Sequence, residues 1–187
     1  MTPTALAPTQ PADLRWRYDT LTVTLHWAVA LLIVTMAALG WTMMAIEDDP
    51  GSRWYFDLHK SLGLVLALLV VLRIGWRFIQ RRSAPPEVGA AWQAMLARAV
   101  KLLLYLLMVA IPTVGYLGAA HSKAGVAWFG LATPRWALPD HDTAEWYFGI
   151  HSALVWVLVA SVALHVTGAL WHRLVNKDPV LQRMGWR

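Results

Sequence analysis

Apolar residues in this chain gather into four long runs separated by short polar breaks. The runs lie at about 22 to 46, 56 to 80, 94 to 119 and 146 to 174. Each is long enough to cross a hydrocarbon core of about 30 Å as a helix rising 1.5 Å per residue. The breaks are EDDPGSR, RRSAPPEVG and a longer stretch containing GLATPRWALPDHD, whose Pro, Gly and Asp mark turns. The pattern predicts an all-α membrane protein, a four-helix transmembrane bundle with no internal repeat and no room for a separate soluble domain. Residues 1–14, MTPTALAPTQPADL, are rich in Pro, Thr and Ala and lack the basic start of a signal peptide. They are expected to form a disordered tail, with 15–187 as one transmembrane domain whose first run stays in the mature protein.

Composition agrees: 58% of the 187 residues are hydrophobic and 14% charged, against roughly 45–50% and 25% in soluble domains. The Lys and Arg residues are divided unevenly between the two ends of the bundle. If the N-terminus is cytoplasmic, twelve of the 16 lie on that side, and only Arg53, Lys60, Lys123 and Arg135 lie on the other. The positive-inside rule then places both termini in the cytoplasm. Twelve bases against four acids give +8 inside, and four against seven give −3 outside, together the +5 of the chain. The basic balance is thus a consequence of topology, and nucleic-acid binding need not be invoked. Many of the 12 Trp, among them Trp16, Trp41, Trp92 and Trp171, fall near run ends, where an interfacial aromatic belt belongs. With no cysteine there is no disulfide, thiolate-held cluster or covalent haem attachment, so a redox centre would depend on histidine or methionine.

Five of the seven histidines fall within the apolar runs, His172 at the very end of the last and His26, His59, His151 and His165 further in, where an ionisable group is costly and marks function by default. His26 opens the first run near the cytoplasmic face. His59 and His151 open runs of the opposite direction near the outer face. His165 follows His151 by fourteen residues, about 21 Å deeper and within about 40° of the same helical face. Depth therefore pairs His59 with His151 and His26 with His165. A lone histidine here would read as a hydrogen-bonded core residue, but two facing pairs at two depths suit the axial ligands of two stacked b-type haems in a bundle core. Gly63, Gly168 and Gly40 are expected to let a flat macrocycle approach the backbone. A dinuclear metal site would call for clustered carboxylates, and the runs hold only Asp57, at the start of the second. A histidine proton relay would have to bridge about 21 Å.

Two further residues belong to the inner layer. Arg73, fourteen after His59, either faces the seam, where it would pair with haem propionates or a quinone carbonyl, or snorkels to the headgroups. His172, seven after His165, is either a proton-exchanging group at a quinone or a solvated helix end.

The segments TLHWAVALLIV, DLHKSLGLVLALLVVLRIGWR, IPTVGY followed by AWFGLATP, and HSALVWVLVASVALHVTGALWH with NKDPVLQRM resemble the bacterial cytochrome b561 family from about Arg17 to the C-terminus. The resemblance implies a four-helix bundle with two bis-histidine haems b, carrying their four ligands onto His26, His59, His151 and His165. In size and loop pattern the chain is most similar to the superoxide oxidase subgroup, which passes electrons from periplasmic superoxide to ubiquinone. That similarity places Arg73 and His172 near the inner haem and the quinone, and Lys60 and Lys123 near the outer haem mouth. The outer loops differ in being negative, with Glu47, Asp48 and Asp49 in the first. An anion-attracting funnel must then be local to Lys60, Lys123, Arg135 and His121. The alternative function is an electron-carrier subunit linking a periplasmic redox protein, such as a hydrogenase or another dehydrogenase, to the quinone pool. For that role the segment 128–142, with Trp128, Phe129, Trp136 and Leu138, is either a docking patch or a lid over the outer haem.

Overall fold

The computed structural model describes residues 16–80 and 90–185. The expected tail 1–14 and the whole RRSAPPEVG break, 81–89, lie outside these residues. Four helices follow one another: α1 Thr20–Ala45, α2 Arg53–Ile79, α3 Ala91–His121 and α4 His141–Leu174. All four are long and apolar enough to cross a membrane. Large apolar side chains such as Leu31, Val34, Phe78 and Leu102 point outward, as they do when the surroundings are lipid. The chain is a four-helix transmembrane bundle.

Caps fix where the helices begin. The Asp19 carboxylate accepts from Thr22 N at 3.0 Å and Thr22 Oγ1 at 2.6 Å. It also accepts from Trp76 Nε1 at 3.1 Å, tying the start of α1 to the end of α2. Asp140 accepts from Asp142 N at 3.2 Å and Thr143 Oγ1 at 2.6 Å, so α4 starts at His141, five residues before its apolar run. Its 34 residues extend about 51 Å, more than the hydrocarbon core, and its first turns project past it. Pro112 stands inside α3. It leaves the Met108 carbonyl without its usual helical donor, an arrangement that membrane helices tolerate.

α1 packs on α2, α3 on α4, and α2 on α3. Val29, Leu66, Val70 and Met108 form one buried cluster, and Leu107, Ile111 and Leu158 another. Among the described residues, α4 makes no comparably close backbone approach to α1 or α2, so a seam separates it from that pair. At the end that carries the connections α1–α2 and α3–α4, here the loop end, a hairpin of β1 Ala127–Trp128 and β2 Leu131–Ala132 turns through Phe129 and Gly130. Both turn residues have positive φ, 47° and 85°, the conformation that a two-residue hairpin requires. The turn is latched to α2: buried Ser61 accepts from Phe129 N at 2.9 Å. At the opposite end, the terminal end, a short 3-10 turn Leu181–Met184 folds under α1. There Trp27 Nε1 donates to Met184 O at 2.9 Å and Tyr18 N to Arg183 O at 3.2 Å.

Candidate cofactor site

Two histidine pairs bridge the seam between α4 and the α1–α2 pair. At the loop end the rings of His59 and His151 have centroids 6.3 Å apart and planes at 78°. At the terminal end His26 and His165 stand 6.3 Å apart at 68°. These are the pairings expected from depth. One metal bound by two imidazoles at about 2.0–2.1 Å, with each ring centre roughly 1.1 Å behind its nitrogen, holds centroids roughly 6.3 Å apart. Each pair therefore has the spacing of a two-nitrogen axial set. Among the described residues no group of three or more His, Asp or Glu could hold a bare ion. Two donors fit a metal whose remaining positions a planar macrocycle fills.

The loop-end pair is built by glycines. His151 Nδ1 lies 3.0 Å from Ile111 O. A carbonyl only accepts, so Nδ1 carries the proton and Nε2 keeps its lone pair, the form a metal takes. Gly115, one turn after Ile111, makes this approach possible: a Cβ there would sit 2.8 Å from His151 Nδ1. Gly40 does the same for His59, where a Cβ would lie 3.3 Å from Cε1. The Nδ1 atom of His59 is buried without a hydrogen-bond partner, a costly state for a polar atom and a sign that this ring is not placed as an ordinary hydrogen-bonded core residue. Of the other glycines expected to open the seam, Gly63 faces Met36 at 3.6 Å, an ordinary contact, and Gly168 faces open space.

At the terminal-end pair Arg73 turns inward rather than to the headgroups. Its Nη1 lies 2.9 Å from His26 Nδ1, and its guanidinium is 5.8 Å from the Tyr105 ring centre. A guanidinium only donates, so here Nδ1 of His26 accepts. Ligation through Nε2 needs a proton on Nδ1 instead, so a haem on this pair fits once the guanidinium leaves the ring and becomes available to an anion.

His172, one layer nearer the terminal end, is largely buried and held by Asp178: Nδ1 and Oδ2 are 2.5 Å apart. At the loop end, Lys60 pairs with Asp57 at 2.7 Å and reaches Gly125 O at 3.4 Å. Arg135 donates to Lys123 O at 2.6 Å and lies against Gly125, whose φ of 67° disfavours a side chain. Lys60, Arg135 and the backbone of Lys123 thus meet at the Gly125 turn, with Asp57 set against Lys60, the residue after His59. His121 stands slightly apart, its Nδ1 on Leu117 O at 2.9 Å and its ring edge on Trp136. Sequence reasoning missed Gly115 and Asp178; IPTVGY and NKDP carried the signal, but neither has periodicity.

The sequence profile described as prokaryotic cytochrome b561 matches residues 17–187. The chain is 33% identical over 172 residues to cytochrome b561 homolog 2 of Escherichia coli (strain K12), covering 90% of each. It is 30% identical to cytochrome b562 of Cereibacter sphaeroides, covering 89% of this chain and 94% of the relative. It is also 30% identical to the probable superoxide oxidase CybB of Yersinia pestis, covering 90% of this chain and 95% of the relative. The four apolar helices, the paired histidines in their seam and a match along nearly the whole sequence lead to one conclusion: the chain belongs to the prokaryotic cytochrome b561 family, haem b proteins of membrane electron transfer.

Proposed function

We propose that the chain holds two haems b and conducts electrons one at a time from superoxide at the periplasmic face to ubiquinone near the cytoplasmic face. The observation that carries this reading is the pair of 6.3 Å histidine sets spaced fourteen residues apart on α4. His59 and His151 would hold the outer haem, and His26 and His165 the inner one. A haem iron with two imidazole ligands has no open position, so when bound it passes single electrons and does not activate oxygen. The balanced reaction is two superoxide plus ubiquinone plus two protons giving two dioxygen plus ubiquinol. Lys60, Lys123 and Arg135 provide a local attraction for an anion at the loop end, small in range because the surrounding loops are acidic. At the terminal end Arg73 offers a cation to a propionate or quinone oxygen, and His172 offers a proton. The charge asymmetry of the sequence supports an inner-membrane placement with both termini cytoplasmic.

Stopped-flow mixing of oxidised protein with a superoxide pulse tests the proposal. The haem absorbance should reduce rapidly and return when ubiquinone is present; slow reduction at any salt concentration would contradict it.

A second reading, an electron-carrier subunit for a periplasmic redox protein, draws on the hairpin. Its backbone is latched to Ser61, yet Trp128, Phe129 and Leu131 are 48%, 58% and 68% exposed. In that case superoxide would reduce the haems slowly, and a partner dehydrogenase would reduce them fast.

A further inference from the structure

We infer that Asp178 is a positioning residue that sets the orientation and protonation pattern of His172 for proton delivery to the quinone, an inference that rests on the quinone site proposed above. The side chains of the two residues are only 13% and 14% exposed, and Nδ1 of the ring lies 2.5 Å from Oδ2 of the carboxylate. A carboxylate on Nδ1 keeps the proton on that nitrogen, leaves Nε2 to exchange protons, and offsets the charge that appears when Nε2 is protonated.

The surrounding turn is constructed to hold that carboxylate in place. Asp178 N donates back to His172 O at 3.1 Å, and Val180 N donates to Oδ1 at 3.2 Å, so both carboxylate oxygens have a donor. Lys177 is left-handed at φ 55°, a conformation costly for a side chain of its kind and kept only where the surroundings over-determine it. Pro179 then restricts Asp178 to an extended backbone. Asn176 Nδ2 lies 3.3 Å from His172 Nδ1 and 3.4 Å from Gln93 Oε1. With the Nδ1–H donating to the carboxylate, an amide hydrogen of Asn176 goes to Gln93 Oε1 and fastens the turn to the start of α3.

In the reaction, as the quinone takes up each electron from the reduced centre, the O–H bond to its oxygen forms while the Nε2–H bond of the protonated ring breaks. Asp178 keeps the Nδ1 proton throughout and is not consumed. The ring takes its next proton from water at the terminal end.

The test uses the haem-loaded protein, reduced with dithionite and mixed with a short-chain ubiquinone over a range of concentrations. Asp178→Asn should retain both haems and lower the saturating rate of haem reoxidation roughly tenfold or more, with the half-saturating concentration within about twofold of the unmodified value. Asp178→Glu should restore most of the rate. Independently, 15N-histidine NMR of the reduced protein, at a pH alkaline enough to keep the ring neutral, should find the His172 proton on Nδ1, and Asp178→Asn should redistribute it. Should the variant lose haem, the spectrum of the unmodified protein decides: a proton on Nε2 overturns the inference. His172→Ala run alongside separates the two levels. If it is slow while Asp178→Asn matches the unmodified protein, the positioning role is wrong and the quinone site stands. If His172→Ala is itself as fast as the unmodified protein, the quinone site is elsewhere and the positioning role falls with it.

Discussion

Gly115 and the imidazole of His151 are in such close contact that a Cβ at position 115 would stand 2.8 Å from Nδ1. The same ring is held to Ile111 O, one turn earlier on α3. The helix packed against α4 thereby aims a histidine of α4 at the seam. Gly115→Ala should push the ring out of place and lower the haem content toward one per chain, with the terminal-end pair unaffected. Gly63→Ala, which meets only Met36 at an ordinary 3.6 Å, should retain two. Pyridine haemochrome quantification against protein concentration checks both.

The place of Arg73 beside His26 gives a redox prediction. Released from the ring when haem binds, the guanidinium remains a cation in the terminal-end layer, and a nearby cation stabilises the reduced centre over the oxidised one. Replacement by a neutral side chain, Arg73→Met, should lower the midpoint potential of the terminal-end haem and leave that of the loop-end haem nearly unchanged. A spectroelectrochemical titration resolves the two; equal shifts in both would remove Arg73 from its assigned layer.

At the loop end, Asp57 restrains Lys60, which makes the charge balance testable in both directions. Asp57→Asn should speed reduction by superoxide, and Lys60→Glu or Lys123→Glu should slow it several-fold while leaving reduced spectra unchanged. The differences should shrink as salt rises, with screening set by a Debye length of about 10 Å at 0.1 M. Stopped-flow traces at low and high ionic strength provide the comparison.

Asp19 links the stability of the bundle to pH. Partial burial pushes its carboxyl up, but hydrogen bonds from Thr22 and from Trp76 outweigh this and hold it below the usual carboxylate range. A depressed value in the folded state means that the stabilisation is complete above the unfolded value of about 3.9 and is lost as pH falls through the folded one. Asp19→Ala should cost about 1 kcal/mol near neutral pH, and its deficit against the unmodified protein should narrow in strong acid. Thermal unfolding followed by helical circular dichroism at several pH values measures this.

The helices were legible because lipid permits long uninterrupted apolar runs, and the histidine pairings followed because a helix crossing a membrane converts residue number into depth. His59 opposite His151 needed only that conversion. The start of α4 was not legible: HDTAE is polar, and its helicity comes from the Asp140 cap and from projecting beyond the hydrocarbon core. The hairpin was missed because its strands are two residues each and depend on Ser61, more than sixty residues away. Gly115 was missed because glycine is common wherever membrane helices touch. Asp178 follows His172 by six residues, across a left-handed turn that no helical period describes.

Haem stoichiometry with single ligand replacements tests the central claim, two haems each held by one histidine pair. The unmodified protein should contain two low-spin haems per chain. His151→Ala should keep only the terminal-end haem, and His165→Ala only the loop-end one, each eluting as a monodisperse species. A single haem in the unmodified protein, or the loss of both from either replacement in a protein that still elutes as one species, would contradict the account.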